Sequence, residues 1–342
     1  MKWFYKSKCN GIVLSTRVRL ARNISTYPFA IKMTETDRNS MLKDVRSAFE
    51  KYGTDRYNYI DMTSKSEIEK NVLVEEHIIS REFANSPPSV KRMLVYDENS
   101  SVSVMVGEED HLRIQTVRPG FSVREAYSAS CAIDEMLAKG LDFAFDEKLG
   151  FLTCCPSNTG TGMRISCMLH LPMLTRNDYM KSVIEYCSRT GLTVRGFFGE
   201  GSKAEGEIYQ ISNQVTLGIS EEETIRRIEE TIEMIAGKEH SLRERLNASG
   251  EKEKDRLWRS YGVLSNVRCI DTSEFLSLWS DCMLAMESGI ITELNDKNLV
   301  RILIECMPAH IIGANAEAAD EEIRDIVRAK KIREQISLNQ KG

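Results

Sequence analysis

The sequence has no run approaching the roughly eighteen continuous apolar residues of a membrane span. Its start, Met1 to Leu14, alternates lysines with aromatics where a signal peptide would carry an apolar core. A cytoplasmic protein is expected. None of the nine cysteines forms a CxxC pair, and their odd number suits a reducing compartment better than a disulfide framework. Most sit among apolar neighbours, as small hydrophobes do; Cys154 and Cys155 differ, preceding a Pro and a loop rich in Gly and hydroxyls. The five histidines show no HExxH or Cys-to-His spacing, so no structural zinc is expected. Positive charge is not in excess either. Forty-six Lys and Arg against fifty-one Asp and Glu leave −5, which gives no global attraction for nucleic acid or an anionic membrane. Any anion site must be built locally, and not on a Walker loop, because no Gly-rich segment ends in Gly-Lys-Ser/Thr.

What is present is a chain of 342 residues, 42% apolar, long enough for a large core and two domains. From about Ser101 to Leu217 strand patterns dominate. Val102, Val104 and Val106 alternate with other residues, and Gly107 to Asp110 turn the chain into Leu112 to Val117, a hairpin with acids at its tip. Met163 to Leu171 and Gln210 to Leu217 also alternate, which predicts an antiparallel sheet with one solvated face and Arg164 pointing away from the core. Ser122 with Glu125, and Ser220 with Glu223, have the spacing of capping boxes. The first predicted helix stops at Gly140 and the second, striped by Ile225, Ile228, Ile232 and Ile235, at Gly237. Lys238 to Arg256 reads as a linker or a solvated helix. The last ninety or so residues read as a separate helical domain, in which Trp258 and Trp279 fit either a subunit contact or burial within the chain.

Arginines mark the candidate chemistry. Arg17 and Arg19, two apart on a predicted strand, face the same side and repel unless an anion lies between them or carboxylates elsewhere pair with them. Guanidinium forks suit phosphate oxygens and stay ionised. Cys155-Pro-Ser-Asn-Thr-Gly-Thr-Gly162 is either a backbone cradle for phosphate or a Gly-rich bend between strands, and Arg164 directly after it strengthens the phosphate reading. Glu108, Glu109 and Asp110, with Glu200, are carboxylates beside turns. A converging pair of them would bind a guanidinium and accept its proton.

Taken in order, Ser15-Thr-Arg-Val-Arg-Leu-Ala-Arg-Asn23, Glu108-Glu-Asp-His-Leu-Arg-Ile114, Cys155 to Gly162, and Arg195-Gly-Phe-Phe-Gly-Glu-Gly201 through Asn213 resemble the signature of the guanidino-phosphotransferases (phosphagen kinases), and among them the bacterial protein-arginine kinase (McsB) family. Gly107 and Ser157 stand where that family commonly has Asn and Thr. The resemblance implies an α+β fold: a phosphagen-kinase-like catalytic domain with a largely antiparallel sheet flanked by helices over 1–240, a linker at 241–256, and an all-helical regulatory or dimerisation domain at 257–342.

The resemblance further implies that Ser15, Thr16, Arg17, Val18, Arg19, His77, Arg113, Arg164, Ile165, Ser166, Cys167, Met168, Arg195, Gly196, Phe197, Phe198 and Gly199 surround ATP, with Mg2+ carried by its phosphates. Glu109 and Glu200 would hold the acceptor guanidinium; either can be the base, and Glu109 is favoured. Cys155 would orient the acceptor, as a thiolate favoured by nearby cations. Arg324-Asp-Ile-Val-Arg-Ala329 matches an RDxxRA element, so that Arg324, Asp325 and Arg328 would form a phosphoarginine-binding regulatory site. Only fourteen residues precede Ser15, where small-guanidine kinases carry a helical domain; an open acceptor side suits a protein substrate. Expected partners are proteins with exposed arginines, a zinc-binding activator, the Clp protease machinery, a heat-shock repressor and a second copy of the chain. No nucleic acid or membrane partner is expected. The competing readings are a phosphagen kinase for a small guanidino compound and a catalytically weak adaptor that reads phosphoarginine.

Overall fold

The structure, a computed structural model, describes residues 2–5, 11–53, 57–87, 89–99, 101–197, 205–247, 251–294 and 298–337. Its strands are β1 (Val13–Arg22), β2 (Tyr57–Asp61), β3 (Met93–Asp97), β4 (Val102–Val106), β5 (Leu112–Pro119), β6 (Phe145–Asp146), β7 (Gly150–Phe151), β8 (Met163–His170), β9 (Leu192–Gly196) and β10 (Ile208–Asn213). The chain forms two compact units. Unit 1 comprises Met1–Trp3, Ser15–Ser166 and Ser212–Glu229; unit 2 comprises Phe4–Leu14, Cys167–Ile211 and Glu230–Gly342. None of the described helices is long and apolar enough to cross a membrane.

In unit 1 the strands run β2-β3-β4-β5-β1, followed by its portions of β8 and β10. The pairs from β2–β3 through β5–β1 are all antiparallel, as the alternation implied. Helix Glu35–Tyr52 opens on a capping box between Thr34 and Asp37 and buries Met41, Val45, Ala48 and Phe49, a helical stripe. The three larger side chains each contribute about 1.5–3 kcal/mol by leaving water. A second cluster, Met62, Ile78, Ile79, Phe83, Leu94 and Met105, packs under β3 and β4. Unit 2 holds the remainder of β8 and β10 with β9 beside β10, and the helices Met180–Arg189, Glu251–Asn266, Thr272–Glu287 and Glu321–Ser337.

Three local expectations are corrected, and the two tryptophans differ. The sheet has no solvated face along β8, whose residues after Arg164 are all buried, because the polar ones are bonded; Ser166 accepts from Arg17 and the His170 ring meets the Ser280 hydroxyl. Ser122 makes no side-chain cap. Its hydroxyl donates to the Pro119 carbonyl, while its N–H donates to Thr16 Oγ1. The helix at Ser220 does not end at Gly237 but runs Glu221–Asn247, since Leu242 and Leu246 extend the buried stripe and Glu239 pairs with Arg243 one turn on. Trp279 is buried, with its indole N–H donating to the Leu299 carbonyl at 2.7 Å, whereas Trp258 is exposed.

Candidate active site

Strand alternation builds the cationic face. In the β1–β5 register Arg17 lies opposite Val117, Arg19 opposite Gln115 and Ala21 opposite Arg113, so Arg17, Arg19 and Arg113 share one side of the sheet. Gln115 on the same side donates to the His77 carbonyl at 2.8 Å, which brings His77 to that face. On β8, Arg164 Nη2 donates to Ser212 Oγ at 3.2 Å, and Arg17 Nε donates to Ser166 Oγ at 3.3 Å. The four guanidinium groups are close enough to oppose one another. Burial, then Arg164 and Arg113, lower Arg17 to about 10, partly offset by Glu82. Burial, then Arg17, Arg113 and Arg164, hold Arg19 well below the usual range, and its Nε is buried without a hydrogen-bond partner among the described residues. The fold therefore concentrates positive charge that a polyanion would relieve.

His77 has φ +58°, a left-handed conformation uncommon outside glycine, and its ring is kept neutral; burial, then Arg17 and Arg81, push it down to about 3. Ser15 is buried beside Arg17 on the strand. Thr16 and Val18 alternate to the opposite side, where Thr16 Oγ1 donates to the Gly120 carbonyl at 2.7 Å and Val18 is buried. Ile165 is likewise buried. Arg22 resembles the cradle arginines in sequence only: it forks onto Asp134 and lies 3.5 Å over the Phe151 ring.

The β4–β5 hairpin carries the acids. Gly107 turns it at φ +85°, a conformation glycine adopts at no steric cost, and its N–H donates to the His111 carbonyl at 2.8 Å. Glu108 is buried, accepts from the Ser80 hydroxyl and pairs with Arg113 at 2.7 Å. Glu109 is half exposed, 3.9 Å from Arg113, and burial followed by the charge of Asp110 pushes its carboxyl above the ordinary glutamate value. Asp110 is buried and its Oδ1 accepts from two directions, Asn23 Nδ2 at 2.7 Å and the Cys154 N–H at 2.8 Å. One carboxylate thus ties the acid tip to the cysteine loop. Asn23 Oδ1 accepts the His111 N–H, and His111 takes the Ile24 N–H on Nδ1, leaving Nε2–H for the Pro28 carbonyl.

Cys155 Sγ lies 3.0 Å from Ser157 Oγ. Its loop is held by Thr216 Oγ1, which donates to the carbonyls of Ser157 and Thr159, and by Gly160 at φ +111°, where a Cβ would stand 2.2 Å from the Thr216 carbonyl. The sequence places Asp110 among the candidate acids and Asn23 in the first motif but gives no sign that these two and Thr216 hold the loop; their bonds run between segments far apart in the chain and leave no periodic trace.

Of the remaining candidates, Cys167, Met168, Arg195, Gly196 and Phe197 belong to unit 2, where all but Arg195 are buried. Phe198, Gly199 and Glu200 lie outside the described residues. In unit 2 Arg328 is fully buried, donating to the carbonyls of Cys306 and Ile270 and pairing with Asp325 at 2.5 Å. It is no solvated charge. Arg324 is half-buried on the same helix, and its Nε and Arg328 Nη2 are buried with no hydrogen-bond partner among the described residues.

Residues 40–242 match the family model of the ATP:guanido phosphotransferase C-terminal catalytic domain, and residues 250–342 that of the protein-arginine kinase McsB C-terminal domain. The protein-arginine kinase of Clostridium kluyveri is 39% identical over 338 residues, 98% of this chain and 97% of that one; the protein-arginine kinase of Bacillus subtilis is 38% identical over 337 residues, 97% and 92%. Among solved structures, the substrate-free duplicated taurocyamine kinase from Schistosoma mansoni aligns with a TM-score of 0.57 at 28% identity, covering 67% of this chain and 32% of that one. Lombricine kinase shares the fold, with a TM-score of 0.60 at 23% identity over 68% and 67%. With its catalytic and C-terminal regions both matched, and its likeness to these relatives running almost end to end, the chain belongs to the protein-arginine kinases of the ATP:guanido phosphotransferase family.

Proposed function

We propose that the chain transfers the γ-phosphoryl group of ATP to the guanidinium of arginine side chains in proteins. The observation that carries this reading is the convergence of Arg17, Arg19, Arg113 and Arg164 on one face, with Glu109 at the tip of the hairpin that bears Arg113. The arginines would hold the phosphates and offset charge as it develops. Glu109, the proposed base, would take a proton from the guanidinium as its nitrogen attacks the γ-phosphorus. An N–P bond then forms, the bond from phosphorus to the β,γ-bridging oxygen breaks, and ADP leaves with that electron pair. Cys155 would orient the acceptor, and Glu200 would serve as the second carboxylate. Among the described residues no cluster of His, Cys, Asp or Glu is arranged to hold a metal. The cationic face suits phosphate oxygens, so magnesium would arrive on ATP and supply further charge neutralisation there.

The proposed division of labour gives catalysis to residues 1–240 and regulation and dimerisation to 257–342, joined through 241–256. The two buried N–H groups of Arg324 and Arg328 support a phosphoarginine site there. Action in the cytoplasm during stress, with a zinc-binding activator, the Clp machinery and a heat-shock repressor, completes the proposal.

Incubation with MgATP and an unfolded basic protein, followed by mass spectrometry at neutral pH, should reveal phosphoarginine. Glu109→Gln should lower the rate by about 10²–10⁴. Phosphoserine alone, or an unchanged Glu109→Gln rate, would overturn the reading. Rapid turnover of free arginine with none on protein would point to the small-guanidine alternative.

A further inference from the structure

Unit 1 exposes eight large apolar side chains among its described residues, and six of them border the segment that carries Cys155. Phe29 and Ile31, the latter 89% exposed, flank Ala30, whose backbone bonds the Cys154 thiol. Val215 and Leu217 flank Thr216, whose hydroxyl holds Ser157 and Thr159. Phe145 and Leu149 lie on the β6–β7 hairpin, which joins the same segment through the Phe151–Gly160 backbone pair at 2.8 Å. These residues come from three separate stretches of chain. They are not the stripe of one amphipathic element but a rim gathered around one loop, and exposed apolar patches of this kind mark interaction surfaces.

We infer that this rim binds apolar side chains flanking the target arginine, so that the preferred acceptor is an extended polypeptide segment in which arginine has large apolar neighbours. The inference rests on the arginine-kinase reading and names the substrate class of that site. Two features choose this occupant. The rim is continuous with the acceptor acid, since the Cys154 N–H is fixed to Asp110, the neighbour of Glu109. The acid itself complements the guanidinium, leaving the neighbours of the arginine to meet apolar surface. A free guanidino compound has no such neighbours.

The test uses the full-length protein and two peptides of equal length and charge, each with one arginine, flanked by Leu and Ile in one and by Ser and Gln in the other. Phosphoarginine formation is followed at neutral pH. The apolar-flanked peptide should have a kcat/KM about tenfold higher. Ile31→Ser combined with Leu217→Ser should bring that ratio near one, Ile31→Met should keep it, and Ile68→Ser, an exposed apolar position away from the rim, should leave it as in the wild type. A wild-type ratio near one, or a ratio unmoved in the double variant, overturns the inference while the kinase reading stands. If the double variant changes the sedimentation mass and not the ratio, the rim joins two copies of the chain and the inference falls. If neither peptide nor an unfolded protein is phosphorylated on arginine, the kinase reading fails and the inference with it.

Discussion

Replacing Arg17 with methionine, which keeps the apolar stem and removes the charge, is expected to stabilise the nucleotide-free protein and to remove most of its response to ATP. Burial and the neighbouring guanidinium groups of Arg164 and Arg113 lower Arg17 from the ordinary arginine range to about 10. A displacement of that size corresponds to about 3 kcal/mol against the charged form. Because the side chain keeps some contact with solvent, about 1–2 kcal/mol is the better figure. The folded protein holds this proton less tightly than the unfolded chain, so the cost is complete at neutral pH. It lifts only as pH rises above about 10 toward the ordinary arginine range. Loss of the donation to Ser166 subtracts about 0.5–1 kcal/mol, leaving a small net gain for the variant. Urea unfolding with and without MgATP measures both effects. At a hundredfold excess over Kd, nucleotide should add about 2.7 kcal/mol to the wild type and far less to Arg17→Met. A nucleotide-free variant less stable than the wild type, or an undiminished gain from ATP, would refute the argument that burial and mutual repulsion among these arginines outweigh the carboxylates beside them.

Asp110→Ala should lower kcat tenfold or more with the KM for ATP unchanged, because the Cys154 N–H and Asn23 amide lose their shared acceptor, and Asp110→Asn, which retains an acceptor oxygen, should recover part of it; steady-state kinetics decide. Burial holds His77 at about 3 and also lowers His111 and His170, while the unfolded chain protonates near 6.5. Stability should therefore fall as pH drops below 6.5, by up to about 1.4 kcal/mol per pH unit for each histidine, and His77→Asn, which tolerates the left-handed backbone, should flatten the profile of urea midpoints. Arg328→Met should destabilise the C-terminal region by about 3–5 kcal/mol in thermal unfolding, because Asp325 and two carbonyls lose their buried partner; Arg324→Ala should cost far less, which makes it the cleaner probe of phosphoarginine binding.

The strands were legible because alternation is a local signal. It placed the β4–β5 hairpin, and it put Arg17 and Arg19 on one side of their strand. Helix limits were less legible. Gly237 looked like a stop, yet the buried Glu239–Arg243 pair and Leu242 beyond it carry the helix on, a tertiary gain that exceeds the weak propensity cost of about 1 kcal/mol for one glycine. The acids were named as a group, but their separate situations could not be read from three adjacent letters. Glu108 is spent on Arg113 and Ser80, Asp110 on Asn23 and Cys154, and Glu109 alone of the three stays half exposed. The same holds for RDxxRA, where four-residue spacing gave a common face but not that Arg328 turns inward.

The doubly bonded oxygen of Asp110 bears on how this catalyst can be re-engineered or can diverge. The thiol segment is not an exchangeable cassette: transplanted without Asn23 and Asp110, it would arrive with its backbone amide unclaimed and its sulfur out of line. Three positions spread over some 130 residues of chain are inherited as a set, and variation in any one should be tolerated only where the other two compensate.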